Sequence, residues 1–499
     1  MARLEIAPVA AGIGPMPIGE LLAYHVRKDP KRPSVTFEGV TTGRAELDAR
    51  SNRKARQLAA LGVGENDVVT LALPNGLEFY ETLFAVWKLG ATPNSVSPKL
   101  PEAELRAILG LAQPRLVVGA ENVRLTGWTF LPAGSPPSSE LSADALPPKH
   151  PKHWKIMTSG GSTGRPKLIV DHTPGLFSPA APPLLQIVND TVLNPGPIYH
   201  NSPFVTTSYC LFNGGHVVEM GKFDPLGALE LIQRHQVAWV NFVPTMMHRI
   251  WRLPPEQRNA LDLSSLRVVF HMASACPMWL KECWIEWLGP ERIFELYGGT
   301  EGQGFTVITG TEWLAHKGSV GKIVGESKLR VLDEAGEDCA PGEVGEIYFL
   351  PPGGRNSTYH YVGATAKALG DWESLGDLGY LDEDGYLYLV DRRTDLILAG
   401  GANIYPAEVE AALDEHPDVR SSIVIGLPDE DLGQRVHAIV QLSQEGEERL
   451  DAAALAAFLE TRLARYKVPR SFEFTREFLR DDAGKARRSR MREERVKTA

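Results

Sequence analysis

Strand-like apolar runs and helix-length amphipathic stretches take turns along this chain, and that alternation restricts the fold more than any other feature. PSVTFEGVTTGRAELDARSNRKARQLAALGV reads as strand, turn and helix. Residues 68–73 form a short buried strand, and residues 79–89 carry apolar side chains at helical spacing until Gly90 stops them. LRAILGLAQPRLVVGA, VAWVNFVPTMMHRIW and LRVVFHMASACP continue the alternation. Parallel strands need a crossover between them, so this order predicts an α/β fold with parallel-rich sheets. PAGSPPSSELSADALPPKHP, 132–151, is an irregular surface connection. From about residue 318 short strands with turn glycines predict a smaller β-rich subdomain. After LVDRRTD the chain starts again with a helix (NIYPAEVEAALDEHPDV), two strands (SSIVIGLP, VHAIVQLS) and a helix (DAAALAAFLETRLARYKVP). That is a compact α+β unit of about 100 residues, long enough to be a domain of its own.

The chain has 499 residues and a net charge of −10, which argues against nucleic acid as a partner, since that needs a basic face. Apolar content of 43% and charged content of 23% exclude global disorder. Cys210, Cys276, Cys283 and Cys339 form no CxxC pair and read as reduced thiols. The N-terminus lacks the pattern of a signal peptide, and no apolar run is long enough for a membrane span. The expected location is cytoplasmic, as a monomer or homodimer.

Four segments carry chemistry. The first, MTSGGSTGRPKLIV, 157–170, is a glycine-rich loop with a lysine. It is not a Walker A loop, because Arg165 and Pro166 separate Gly164 from Lys167 and the following residues are β-branched rather than helical. A loop between two strands fits, with hydroxyls and glycine N–H groups able to wrap a pyrophosphate; a flexible Gly/Ser turn also fits. In the second, ELYGGTEGQG, 295–304, Tyr297 can stack on a purine, Thr300 can bond a phosphate oxygen and Glu301 can hold Mg²⁺. A tight turn with Glu301 in water fits that segment equally. In the third, SLGDLGYLDEDGYLYLVDRRTD, Asp377 suits a ribose diol, which two acceptor oxygens can grip. A hairpin at Asp384–Gly385 accounts for the turn but not for the whole run. The fourth, RDDAGKARRSRMREE, 480–494, puts Lys485 after Gly484 in a basic, otherwise polar tail, where a solvated terminal lysine is the plain reading.

Together, in this order and spacing, the four segments resemble the ANL superfamily of adenylate-forming enzymes: acyl-CoA synthetases, peptide-synthetase adenylation domains and luciferases. The resemblance spans residues 18–488. It implies an N-terminal adenylation domain, 1–391, a hinge, 392–394, and a mobile C-terminal domain, 395–499. It implies a phosphate loop of Thr158, Ser159, Gly160, Gly161, Ser162, Thr163, Gly164 and Lys167. Ala273, Ser274, Ala275, Tyr297 and Gly298 would line the adenine, with Asp377 and Arg392 at the ribose. Thr300 would meet the α-phosphate, Glu301 would ligate magnesium, and His200 would gate the acyl site. Lys485 would be the lysine of the first half-reaction. Thr394 falls at the hinge, where Asp or Lys is usual. Gly400 and Gly401 would line a tunnel for coenzyme A.

The implied reaction uses ATP and Mg²⁺ to convert a carboxylic acid to an acyl-adenylate, which coenzyme A then takes. The resemblance places the acyl pocket at Phe204, Val205, Phe242, Val243 and Gly299, with Gly298 and Gly299 leaving depth for a ring or chain. No aspartate is placed to grip an α-amino group, so an apolar acid is expected: alicyclic, aromatic or medium-chain. GGSTGRPK with RDDAGKARR is most similar to the bile-acid and cyclic-acyl CoA-ligase branch. An amino-acid amine as acceptor, as in coronafacic-acid-type ligases, stays open, because both routes share the adenylate. A non-catalytic nucleotide-binding protein is the third reading.

Overall fold

The computed structural model describes residues 14–119, 127–160, 166–179, 183–392, 395–399, 402–443, 446, 449–481 and 484–496. Two large sheets organise the part before residue 392. In the smaller sheet, strands Thr92–Ser95, Val68–Ala72, Leu116–Gly119 and Phe130–Leu131 are parallel, as the alternation predicts. Its other side adds Ile156–Gly160, parallel to Thr92–Ser95, and then Pro166–Asp171 and Tyr359–Val362, which pair antiparallel. In the larger sheet, Pro33–Phe37, His216–Glu219, Thr191–Asn194, Trp239–Phe242, Val268–His271 and Ile293–Gly298 are parallel neighbours. From Phe305–Thr309 onward its strands turn antiparallel. The β-rich segment therefore extends the larger sheet. It has a small core of its own, built on Val320, Val331, Ile347, Phe349 and Leu387.

The helix Leu77–Lys88 lies between the sheets and is buried on every side. Its Trp87, with Trp154, Phe204 and Phe212, forms the centre of the first core, and the Trp87 indole donates to the Trp154 carbonyl (2.9 Å). Burying Lys88 at the end of this helix is tolerable because its ammonium meets Asp48 (2.5 Å) and Asn52 (2.6 Å). Residues 132–151 are irregular, as expected. They are tied down by the helix Arg44–Ala60, whose Lys54 and Asn52 donate to the carbonyls of Ser135 (2.9 Å) and Ala143 (2.8 Å).

Past residue 395 the antiparallel pair Val419–Asp429 and Gly433–Leu442 and the parallel strand Ser471–Thr475 make a separate sheet. Helices Pro406–Asp414 and Ala452–Glu460 cover it around Ile404, Val409, Leu413, Leu455 and Leu459. One sequence expectation changes here. The helix expected to reach residue 469 ends at Glu460, because the chain turns to set Leu463 and Val468 against this core. In the basic tail Lys485 is exposed, and the residues after it form a helix, Arg488–Val496. Arg488 is its anchor, with contacts to Glu410 (2.7 and 2.8 Å) and Asp395 (3.0 Å).

Candidate active site

The glycine-rich loop joins two antiparallel strands, with Thr158 opposite Leu168, Ser159 opposite Lys167 and Gly160 opposite Pro166. No helix follows, in keeping with Pro166 and the β-branched residues after it. Gly161, Ser162, Thr163 and Gly164 lie outside the described residues. Thr158 is held from behind: the Asn94 amide donates to its Oγ1 (3.4 Å) and to the Ile156 carbonyl (3.2 Å).

Lys167 leaves this hairpin toward the second motif. Its Nζ stands 3.7 Å from Glu301 Oε1 and 3.7 Å above the Tyr361 ring. The Tyr361 hydroxyl donates to the same Glu301 oxygen at 2.6 Å. Burial, and then the Glu301 carboxylate, push the Tyr361 phenol far above its ordinary range, so it stays a donor. Glu301 itself is only 8% exposed.

Tyr297 ends the strand Ile293–Gly298, and its hydroxyl donates to Asp377 Oδ2 at 2.8 Å. Asp377 sits opposite Arg392 in the sheet, although the Arg392 side chain lies outside the described residues. The adenine, ribose and metal candidates are thus joined by the Tyr297–Asp377 hydrogen bond and by the turn that runs from Tyr297 to Thr300 and Glu301. Ala273 adopts φ +79°, a left-handed conformation unusual for a residue with a Cβ, and Ala273 and Ala275 are exposed, leaving this backbone open to a ligand.

Gly298 and Gly299 do not provide pocket depth. A Cβ on Gly298 would stand 2.5 Å from the Phe305 ring, and one on Gly299 would stand 2.6 Å from Glu301 Oε2 and 2.8 Å from Leu375. Their small size serves the close approach of this turn to its neighbours. His200 caps the helix Asn201–Phe212, with its ring 4.7 Å from that of Tyr199. Val205 is half-buried on that helix. Phe204 and Phe242 are fully buried in the two cores behind this wall, against Trp154 and Trp284 respectively. Sequence reasoning missed a polar pair beside them. Asn241 donates to Ser202 (2.9 Å), and Ser202 donates to Met272 Sδ (3.1 Å). It also missed Tyr361 and Gln303, whose amide donates to the Tyr359 hydroxyl (3.2 Å); the alternation in TYHYV was the available signal.

The C-terminal unit reaches this wall through Gly484. A Cβ there would lie 3.1 Å from Thr245 Oγ1 and 3.6 Å from Val243 Cγ2. The turn that carries Lys485 closes on itself, with the Lys485 N–H donating to Asp481 Oδ1 and the Asp481 N–H to the Lys485 carbonyl, both at 2.9 Å. Arg487 stands 3.8 Å from Glu104, and Arg252 donates to the carbonyls of His416 (3.2 Å) and Val419 (2.8 Å), so the two units touch on both sides of this turn. Lys485 is exposed. Thr394, Gly400 and Gly401 lie outside the described residues.

A family model described as AMP-binding enzyme matches residues 22–354, and one described as AMP-binding enzyme C-terminal domain matches 408–485. The chain is 33% identical to the 2-succinylbenzoate–CoA ligase of Geobacillus kaustophilus over 93% of this chain and 95% of that one. It is 33% identical to a feruloyl-CoA synthase of Amycolatopsis, over 96% and 98%. The o-succinylbenzoate coenzyme A synthetase of Bacillus subtilis in complex with ATP and magnesium ion superposes with a TM-score of 0.77 at 27% identity, covering 96% of this chain and 99% of that one.

Proposed function

Because the chain belongs to the family of AMP-binding enzymes, we propose that it activates an apolar carboxylic acid, aromatic or alicyclic, and transfers the acyl group to coenzyme A. The observation that carries this reading is the approach of Lys167 to Glu301, which joins the glycine-rich hairpin to the turn bearing Tyr297, Thr300 and the Asp377 contact. The relatives' names supply the substrate class: both act on acids with an aromatic ring.

In the first step a carboxylate oxygen bonds to the α-phosphorus of ATP and the bond to pyrophosphate breaks. Thr158, Ser159 and Lys167 hold the leaving phosphates, and Thr300 meets the α-phosphate. Tyr297 flanks the adenine, and Asp377 accepts from the ribose hydroxyls. Lys485, brought in by the C-terminal unit, faces the oxygens where charge gathers as the two anions join. His200 closes the acyl side, against Val205 and Val243. The residues present fit magnesium. Glu301 is a hard oxygen ligand, and Gly299 sets no Cβ against its Oε2. Among the described residues no cluster of three metal-ligating side chains competes for the ion, as suits one that arrives with phosphates. When bound there, magnesium neutralises phosphate oxygens. In the second step the coenzyme A thiol sulfur bonds to the acyl carbon and AMP leaves. Rotation about 392–394 withdraws Lys485 and presents the segment of Gly400 and Gly401.

Among the described residues no helix is long and apolar enough to cross a membrane. A cytoplasmic location is inferred from the proposed substrates alone. The test is mass spectrometry of products from ATP, a panel of carboxylic acids, and coenzyme A or mixed amino acids. Acyl-CoA with AMP supports the reading. Amide products instead would assign the second acceptor, and AMP-free mixtures with every acid would overturn adenylation.

A further inference from the structure

The helix Pro244–Trp251 meets the C-terminal unit at both of its ends. Near its start Thr245 abuts Gly484, the residue before Lys485. At its end Arg252 reaches the turn that joins the helix Pro406–Asp414 to the strand Val419–Asp429. The Arg252 guanidinium donates there to the carbonyls of His416 (3.2 Å), Pro417 (2.5 Å) and Val419 (2.8 Å). Its other edge is fixed on its own helix, where Nε donates to His248 Nε2 at 3.0 Å. Burial, and then the Arg252 charge, lower the His248 imidazole to about 4, so it stays neutral and can accept. Residues 245 and 252 lie roughly 10 Å apart along the helix axis, so the two contacts together set the direction of the docked unit as well as its place. Inside that unit Arg480 carries the grip onward. It donates to the carbonyl of Ser422 (3.1 Å), on the strand that begins at Val419, and to that of Gly484 (3.3 Å).

We propose that Arg252 is a positioning residue for the first half-reaction: its hold on the turn from His416 to Val419 docks the C-terminal unit so that Lys485 is delivered to the site. This rests on the reading that Lys485 acts in that step and is withdrawn for the next. An arginine suits the task, because its planar fork donates to several acceptors at once and never loses its charge. Arg252 is exposed, at the rim of the contact, and every acceptor on the far side is a neutral carbonyl. Such a hold is firm enough to bias docking and weak enough to be given up to water when the unit turns.

The experiment follows the two half-reactions separately in the full-length protein. The first is pyrophosphate release from ATP with benzoate, ferulate or cyclohexanecarboxylate, whichever is turned over. The second is thioester formation from coenzyme A and the supplied adenylate of the same acid. Arg252→Met keeps the stem and removes every donor. Pyrophosphate release should fall about tenfold, the scale of one hydrogen bond to a charged group. ATP affinity, measured by calorimetry, and the rate of transfer should stay within about twofold of wild type. Arg252→Lys, which keeps the charge but not the fork, should show a smaller loss confined to the same step, and it carries the test if the methionine variant does not fold. A residue that only stabilises its own helix would lower the melting temperature and slow both steps alike. That result would overturn the proposal, as would pyrophosphate release at the wild-type rate from Arg252→Met. No pyrophosphate release by the wild-type protein with any of these acids would overturn this proposal and the functional reading together. Release by wild type with an equal loss in both half-reactions of the variant would overturn this one alone.

Discussion

The phosphate side of the site and the Lys485 side are built in different ways. Lys167, Glu301, Tyr297 and Asp377 sit on or beside strands of the two large sheets, and their mutual distances follow from strand register and a few side-chain contacts. Lys485 sits on a turn that bonds to itself, on a unit with its own core, and meets the first part across Gly484. On the proposed function, a site divided in this way would separate tasks. The sheet side would hold nucleotide whether or not the other part is in place, and the turn would withdraw without disturbing what is held. Binding and chemistry should then respond to different substitutions.

The largest effect that tests this division is at Lys485. Lys485→Ala should lower acyl-adenylate formation, followed as pyrophosphate release, by about a hundredfold or more, the usual cost of losing a group that meets developing charge. ATP affinity should stay within about twofold of wild type, since no contact of the sheet side is lost. Thioester formation from a supplied acyl-adenylate should be retained. A parallel drop in ATP affinity would break the comparison.

Next in size is the anchor of the C-terminal unit. Arg488 is mostly buried and shares Glu410 with Arg480 (2.8 Å) while also holding Asp395. Arg488→Met would leave Glu410 and Asp395 short of a cation, and removing one partner of a buried ionic network costs about 3 kcal/mol or more. The loss should appear as a lower melting temperature for the C-terminal unit, seen as an earlier, separate transition in calorimetry. A single transition lowered as a whole would mean that the two units unfold together and are less independent than their cores suggest.

The two sides also differed in how far the sequence exposed them. The parallel strands were legible because apolar runs alternate with helical spacing, and the strand–loop–strand form of the glycine-rich segment was legible because Pro166 forbids a helix start. Tyr297 and Asp377 could be named separately, but not the hydrogen bond between them, because it joins residues 80 apart on strands that do not pair with each other. Tyr361 was one aromatic among several in the alternating TYHYV, and its contacts with Lys167 and Glu301 arise only when its strand pairs with Pro166–Asp171. On the other side, the tail looked solvated because charged residues dominate its helix. What holds it is Arg488 reaching Glu410, which no local pattern announces.

A buried carboxyl sharpens the sheet side. Glu219 accepts from Asn75 (2.6 Å), Asn194 (2.8 Å) and the Tyr80 hydroxyl, and the same Asn75 accepts from the Ile198 N–H (2.9 Å) in the turn that leads to His200. Burial raises its carboxyl to about 8 despite those hydrogen bonds. The folded state therefore prefers the protonated form. Its stabilising contribution is fully present below the ordinary carboxyl range and is lost as pH rises through about 8. Wild-type protein should show a falling melting temperature between about pH 5 and 9. Glu219→Gln, which cannot ionise, should flatten that slope while leaving the Lys485-dependent step intact. An unchanged slope would remove Glu219 from the account.

The smallest expected effect lies at the contact between the two sides. Gly484 has φ +75° and abuts Thr245, so a side chain there meets both backbone strain and a neighbour that must give by a few tenths of an ångström. Gly484→Ala should cost about 1 kcal/mol in holding the turn, and so lower adenylate formation about fivefold. ATP affinity and transfer from a supplied adenylate should stay near wild type, because neither needs this turn in place. Gly484→Asn separates the two causes. Asparagine tolerates the left-handed region better than alanine but is larger, so relief of the loss would assign it to backbone strain, and a deeper loss would assign it to the Thr245 contact. If either variant lowered ATP affinity as much as adenylate formation, the turn would belong to the binding machinery, and the division between a fixed nucleotide side and a delivered lysine would have to be redrawn.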